Sequence, residues 1–429
     1  MKYFLTRDTV IKWLETPSIY HIEKDDLYEL DNESFEFLQN CASENGCNVE
    51  SASDRSEFID YCLKEGILTK GKVSVKRPPL IKSPDPSLRY LELQITNKCN
   101  LKCKHCYIGD RNIFTLPQPL PSREGKIREN PIKKEGIIMG KEIINKSPLP
   151  SRERVRVRGI KKDELLVNQI RAILKEFEEM QGLRVLISGG EPLMHSKFKE
   201  INKMLPEFFL RKVLFTNGLL LNKRILKKLN VDEIQVSIDG LEDAHDSLRG
   251  KGTFKLAIEA VKNAIDSGFE VSISTMVHPK NLEDFEEMEK LFKDIGIKDW
   301  TVDVPCVTGR LKENDQFSIS PELGGKYLGY GFGEGLHSGA SGFGCGLHLM
   351  AVMADGRVSK CTFYSDSPVG RIKDGLRECW QRIKPIRLDE LKCDCSYIES
   401  CRGGCRYRAT LLGDPCGKDF YKCKMYDIL

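Results

Sequence analysis

Long apolar runs are missing from this 429-residue chain. None approaches the roughly 18 residues that a membrane-spanning helix needs, so no membrane partner is expected. The N-terminus, MKYFLTRDTVIKWLE, is broken by charge and has no signal-peptide core, which makes a cytoplasmic location the expectation. A strong overall charge is missing as well, the formal net charge being +4. No aromatic residues interleave with the densest basic stretch, RERVRVRG, so no nucleic-acid partner is expected. Cysteine is the exception to this plainness, with sixteen residues. A reducing compartment argues against using them as a disulfide framework and leaves metal binding as the better use.

The stretch CNLKCKHCY places Cys99, Cys103 and Cys106 in one short loop with no fourth cysteine or acidic ligand nearby. A structural zinc site closes with four protein ligands, so a vacancy points to chemistry at the metal. Three thiolates can instead hold an iron-sulfur cube with one iron left open. Nine further cysteines crowd between Cys345 and Cys423, while Cys306 stands alone and Cys41, Cys47 and Cys62 lie near the N-terminus.

Residues 1–75 form the first domain. SIYHIEKDDLYELD alternates around an acidic turn as a hairpin does, and NESFEFLQNCA and SEFIDYCLKEGIL carry helical spacing. The proline-bearing residues 76–88 form a linker. From 89 to 310 strands alternate with helices: RYLELQI, LRVLISGGEP, KVLFTNG, EIQVSIDG, EVSISTMV and WTVDVP. Six such strands predict an α/β fold, a parallel barrel or part of one, whose ligands gather where strands end. Residues 111–162 interrupt this pattern with fourteen basic and five acidic residues, a net of +9, and with PLPSRE occurring twice. They are expected to be a dispensable insertion. The glycines of GGKYLGYGFGEGLHSGASGFG leave no regular element expected there, so 311–344 reads as a linker or a lid.

CNLKCKHCY, SGGEPLMH, TNG, SIDG and HDSLRGKGTF followed by VHPKN together resemble the radical S-adenosylmethionine (SAM) superfamily. The resemblance implies a partial (β/α)6 TIM-type barrel and a 4Fe-4S cluster on Cys99, Cys103 and Cys106, with SAM on the open iron. It implies cofactor-binding roles for Tyr107, Gly189, Gly190, Glu191 and Pro192, with Glu191 accepting from the SAM ammonium group. Ser237 and Asp239 fall where the ribose is bound, and Arg249 where the carboxylate is paired. Reductive cleavage of SAM to a 5′-deoxyadenosyl radical, fed by an electron donor such as flavodoxin or ferredoxin, is the implied chemistry. His105 and His195 are expected to pack or hydrogen-bond rather than ligate.

Residues 345–429 resemble the SPASM domain, which holds two auxiliary 4Fe-4S clusters. The resemblance gives Cys345, Cys361 and Cys405 to the first and Cys393, Cys395, Cys401 and Cys423 to the second. It leaves the fourth ligand of the first among Cys306, Cys379, Cys416 and an open site. One residue separates Cys393 from Cys395, where the family has two. A zinc ribbon is the competing reading of this tail. The N-terminal pattern resembles a PqqD-like winged-helix module that binds a leader peptide by strand addition. These resemblances imply a maturase acting on a peptide or small protein. CRGGCRYRA also resembles the haem-synthesis branch of SPASM enzymes, and an iron-sulfur electron carrier is the nonenzymatic alternative.

Overall fold

Six parallel strands in chain order form the centre of the computed structural model, which describes residues 1–48, 56–109, 163–333, 342–345 and 347–428. The basic insertion and residues 334–341 of the glycine-rich stretch lie outside the described residues.

The N-terminal segment comprises β1 (Lys2–Leu5), β2 (Thr9–Trp13), β3 (Pro17–His21), β4 (Asp26–Glu29), α1 (Asn32–Cys41), β5 (Cys47–Asn48), α2 (Ser56–Lys64) and β6 (Leu68–Thr69). It builds two three-stranded sheets, β5-β1-β6 and β2-β3-β4. The expected hairpin is β3–β4, and α1 begins where the Asp31 side chain accepts from the backbone of Ser34, an N-cap. Leu5, Ile11, Ile19, Leu38, Cys41 and Cys62 share its small core, so these two cysteines are packing thiols.

The barrel follows as β7 (Tyr90–Thr96), α3 (Val167–Glu179), β8 (Arg184–Gly189), α4 (Phe198–Met204), β9 (Arg211–Thr216), α5 (Lys223–Leu226), β10 (Glu233–Ser237), α6 (Glu242–Arg249), α7 (Thr253–Asp266), β11 (Glu270–Met276), α8 (Phe285–Ile295) and β12 (Asp299–Asp303). All six expected strands are present. Leu91, Leu93, Ile187, Leu214, Ile234, Val236 and Ile273 are buried, as continuous apolar strands covered on both faces require.

The remainder comprises α9 (Pro321–Tyr327), β13 (Leu349–Val352), β14 (Arg357–Ser359), β15 (Gly370–Arg371), α10 (Leu376–Gln381), α11 (Ile398–Cys401), α12 (Arg406–Leu411) and α13 (Phe420–Met425). β13 pairs parallel with β7, and β14 and β15 follow antiparallel, making one nine-stranded sheet. The edge of β7, which would otherwise offer unpaired backbone groups, is thereby covered. α9 enters the glycine-rich stretch where no regular element was expected. A Cβ at Gly325 would lie 2.5 Å from Lys424 Cβ, so the glycine lets α9 approach α13 closely.

The N-terminal module is anchored at the beginnings of the barrel strands. Arg211, fully buried, donates to the carbonyls of Ile22 and Glu23 at 3.0 and 2.7 Å and pairs with Glu233 at 3.0 Å and with Glu270. Asp25 accepts from Tyr20 at 2.5 Å and from Arg184 at 2.9 Å. Lys12 reaches the Gly182 carbonyl at 2.7 Å, and burial lowers its pKa to about 8.

Candidate active site

At the opposite ends of the strands, the three-cysteine loop leaves β7 and folds over the turn that ends β8. Gly190 N donates to Thr96 O and Glu191 N to Lys98 O, each at 2.8 Å. The two glycines are dictated by this approach. Gly189 has φ +148°, and a Cβ there would lie 2.4 Å from Thr96 O; at Gly190 it would lie 2.3 Å from Lys98 O. Asn217, at the end of β9, donates its side-chain amide to Asn100 at 2.8 Å, fixing the loop from a third side.

A cavity of about 180 Å³ results. Cys99, Cys103 and Cys106 line it together with Tyr107, Gly189, Gly190, Ser237 and Arg249. Burial and then Cys103 push the Cys99 thiol up to about 12, and burial pushes Cys103 up to about 11 against the pull of Arg249. Cys99 and Cys103, thiols that resist ionisation alone, are what an iron-sulfur cluster converts to thiolates by displacing their protons. Thiol ring, glycine cradle and free volume therefore fit a cluster with a small ligand. Among the described residues no three His, Cys, Asp or Glu side chains converge on a single-ion site.

Three of the sequence candidates do not face this cavity. Pro192 is buried and opens a short 3₁₀ turn. Glu191 is 0% exposed, and its carboxylate accepts from Thr216 Oγ1 at 2.9 and 3.0 Å, Asn217 N at 2.9 Å and Leu193 N at 3.2 Å. Burial outweighs these bonds and raises its pKa to about 7. Asp239 lies behind Arg249, whose Nε donates to it at 2.5 Å, and it also accepts from Met276 N at 2.8 Å. Despite its burial, the guanidinium holds this carboxyl well below the usual range. Arg249 in turn brings Nη1 to 4.0 Å from Cys103 Sγ. His195 bonds the Leu165 carbonyl at 2.8 Å, while His105 lines the cavity 4.0 Å from Asp239.

Glu92, unremarked in the sequence, lines both this cavity and a larger one of about 690 Å³ beside it. It accepts from Ser188 at 3.1 Å and Tyr107 at 3.4 Å, and burial raises its pKa. The larger cavity is walled by Cys345, Cys361 and Cys405 together with Lys360 and Arg406. Cys306, following β12, hydrogen-bonds Cys405. That contact lowers Cys405 and raises Cys306. Burial pushes Cys361 up to about 12. Cys379 instead packs in the main core, with its sulfur 3.7 Å from the Arg371 carbonyl. Burial, then Cys393 and Cys401, push Cys423 up to about 11, and Cys395 acts on Cys393.

Two arginines organise this end. Arg408 joins Asp419 at 2.8 Å to Asp303 at 2.9 Å, and Asp419 also accepts from Cys405 N at 2.7 Å. Arg406 is 1% exposed; Nη1 donates to the carbonyls of Pro415 and Gly417 at 3.0 and 2.8 Å, whereas Nη2 has no partner among the described residues.

Six parallel strands ending in a three-cysteine loop over a glycine turn define the class: residues 93–292 match the model of the Radical SAM superfamily and form a radical SAM domain, of the enzyme class whose cofactors are a 4Fe-4S cluster and SAM. More particularly, it is similar to the mycofactocin maturase MftC of Mycolicibacterium smegmatis, at 25% identity over 59% of this chain and 73% of that protein. It is also similar to the AdoMet-dependent heme synthase of Oleidesulfovibrio alaskensis, at 24% identity over 55% of this chain but only 50% of that protein. In fold it resembles Streptococcus suis SuiB bound to S-adenosylmethionine, with TM-score 0.58, 15% identity and coverage of 97% and 98% of the two chains.

Proposed function

We propose that this enzyme modifies a peptide or small protein, cleaving SAM reductively and abstracting hydrogen from an unactivated carbon of the substrate. The chemistry supplied by the bound cluster and SAM is that cleavage; the protein's part is to hold, orient and exclude water. Cys99, Cys103 and Cys106 hold the cluster. Gly189 and Gly190 give SAM backbone to lie against, Ser237 faces the ribose, and Arg249, held by Asp239, keeps positive charge beside Cys103. Glu92, bonded to Tyr107, stands between the SAM cavity and the larger one, where the substrate's reacting group is received.

The observation carrying this reading is that Glu92 lines both cavities, so the three-cysteine cavity and the cavity of the C-terminal cysteines lie on either side of one enclosed carboxylate. Cys306, Cys345, Cys361 and Cys405 ligate one auxiliary cluster, and Cys393, Cys395, Cys401 and Cys423 the other. Similarity to MftC supports a peptide substrate, and the N-terminal sheets supply edges for strand addition by a leader.

The test is anaerobic reconstitution followed by turnover. About twelve irons with matching sulfide are expected per chain, three cubes of four. A short peptide encoded beside the gene should change mass only with SAM and reductant present. Zinc in place of iron, or absence of 5′-deoxyadenosine, would overturn the reading. The heme-synthase similarity favours a tetrapyrrole as second reading, and conversion of an iron porphyrin with no peptide modified would establish it.

A further inference from the structure

Between the turn that follows β8 and helices α4 and α5 runs a groove of about 640 Å³. Its floor is apolar, with Phe198, Ile225 and Leu229, and its rim is basic, with Lys197, Lys199, Arg224 and Lys228. All four cations are exposed, and Lys203, Lys223 and Lys227 extend the patch along α4 and α5. Glu200 is the acidic residue in the groove, paired with Lys197 at 2.8 Å. Lys199, Arg224 and Lys228 have no carboxylate partner among the described residues. The groove wall connects directly to the loop: Ser196 donates to Glu164 at 2.6 Å, and Glu164 pairs at 3.1 Å with Lys98, the residue preceding Cys99.

We infer that this groove is the docking site of an acidic one-electron carrier protein that reduces the cluster held by Cys99, Cys103 and Cys106. The inference rests on the radical SAM reading, which requires an electron from outside the chain. Three features select this occupant. The rim's charge complements an acidic surface and would steer its approach. The apolar floor suits the exposed edge of a redox group. The Ser196–Glu164–Lys98 contacts tie the groove wall to the loop that would receive the electron.

The experiment measures 5′-deoxyadenosine release by the reconstituted holoenzyme, driven either by dithionite or by a flavodoxin kept reduced by its reductase. The variant is Lys197→Glu, Lys199→Glu, Arg224→Glu and Lys228→Glu combined; a milder Lys199→Gln, Lys228→Gln pair guards against misfolding. With flavodoxin, the fourfold variant should lose about tenfold or more in rate, and the wild type should slow as salt rises while the variant does not. With dithionite both should agree within about twofold, because no rim residue touches the cavity. An unchanged flavodoxin rate would overturn the proposal. So would an equal loss with both reductants in the milder pair, or loss of heparin binding with flavodoxin coupling intact, which would mark a polyanion site. If the wild type releases nothing even with dithionite, the radical SAM reading itself has failed, and that result is distinct from a failure of docking.

Discussion

Replacing Glu191 with glutamine separates a carboxylate that serves the cofactor from one that serves the protein. In the wild type, Leu193 N donates to Oε1 and Asn217 N to Oε2, while Thr216 Oγ1 reaches both. Either orientation of a glutamine amide aims its NH₂ at one of those backbone N–H groups, leaving a buried donor unmade at a cost of about 1–3 kcal/mol. A second component depends on pH. The folded pKa is raised from 4.5 to about 7, so between those values the folded chain holds a proton the unfolded chain has released. Wild-type stability from this group is therefore fully present at low pH and falls as pH rises through the window. Between pH 5 and pH 8 the loss is on the order of 2–3 kcal/mol, and glutamine does not suffer it. The deficit of Glu191→Gln should shrink by that amount, narrowing the gap in melting temperature by roughly 2–4 °C for a chain of this length. Thermal melts at both pH values, with SAM affinity measured by equilibrium dialysis, provide the check. Affinity should hold within about twofold, since the carboxylate does not line the cavity. A gap that stays flat or widens with pH, together with affinity weakened tenfold, would refute the argument and return Glu191 to the SAM ammonium.

Gly190→Ala must displace the Thr96–Lys98 backbone and should cost about 1–3 kcal/mol of packing strain; the iron assay should show loss of about four irons per chain while auxiliary iron remains. Cys306→Ala should change the auxiliary-cluster signal in electron paramagnetic resonance, whereas Cys379→Ala should not, and equal spectra for both would remove Cys306 from the ligand set. Arg406→Met withdraws a buried cation whose Nη2 is unpartnered and should make one auxiliary potential more negative in a spectroelectrochemical titration; unchanged potentials would separate Arg406 from both clusters.

Much of the barrel was legible because each of its strands is an apolar run ending in a small or polar turn such as Thr216–Gly218. β13, β14 and β15 were not, being four, three and two residues long, too short for any periodic signal. Glu92 escaped notice because an acidic residue within RYLELQI imitates the solvent face of a strand, and only the neighbouring Ser188 and Tyr107 reveal it as enclosed. The sequence leaves Cys306 beside Cys379, Cys416 and an open site, because its contact with Cys405 depends on where β12 ends in space. The Gly-Gly-Glu-Pro turn was recognised as a unit, yet sequence spacing cannot separate the glycines that face the cavity from the glutamate bonded behind them.

The anchoring of the N-terminal module on Arg211 and Asp25 has a metric consequence. These contacts sit where the strands begin, and the cysteine loop sits where they end. Six residues of β9 at about 3.3 Å each put roughly 20 Å of barrel between the two ends. A substrate gripped at one end and modified at the other must cross that span with at least about six extended residues of its own. The fold would then work as a ruler, choosing the residue to modify by its distance along the substrate from the grip, so that lengthening or shortening the spacer would move the modification along the peptide.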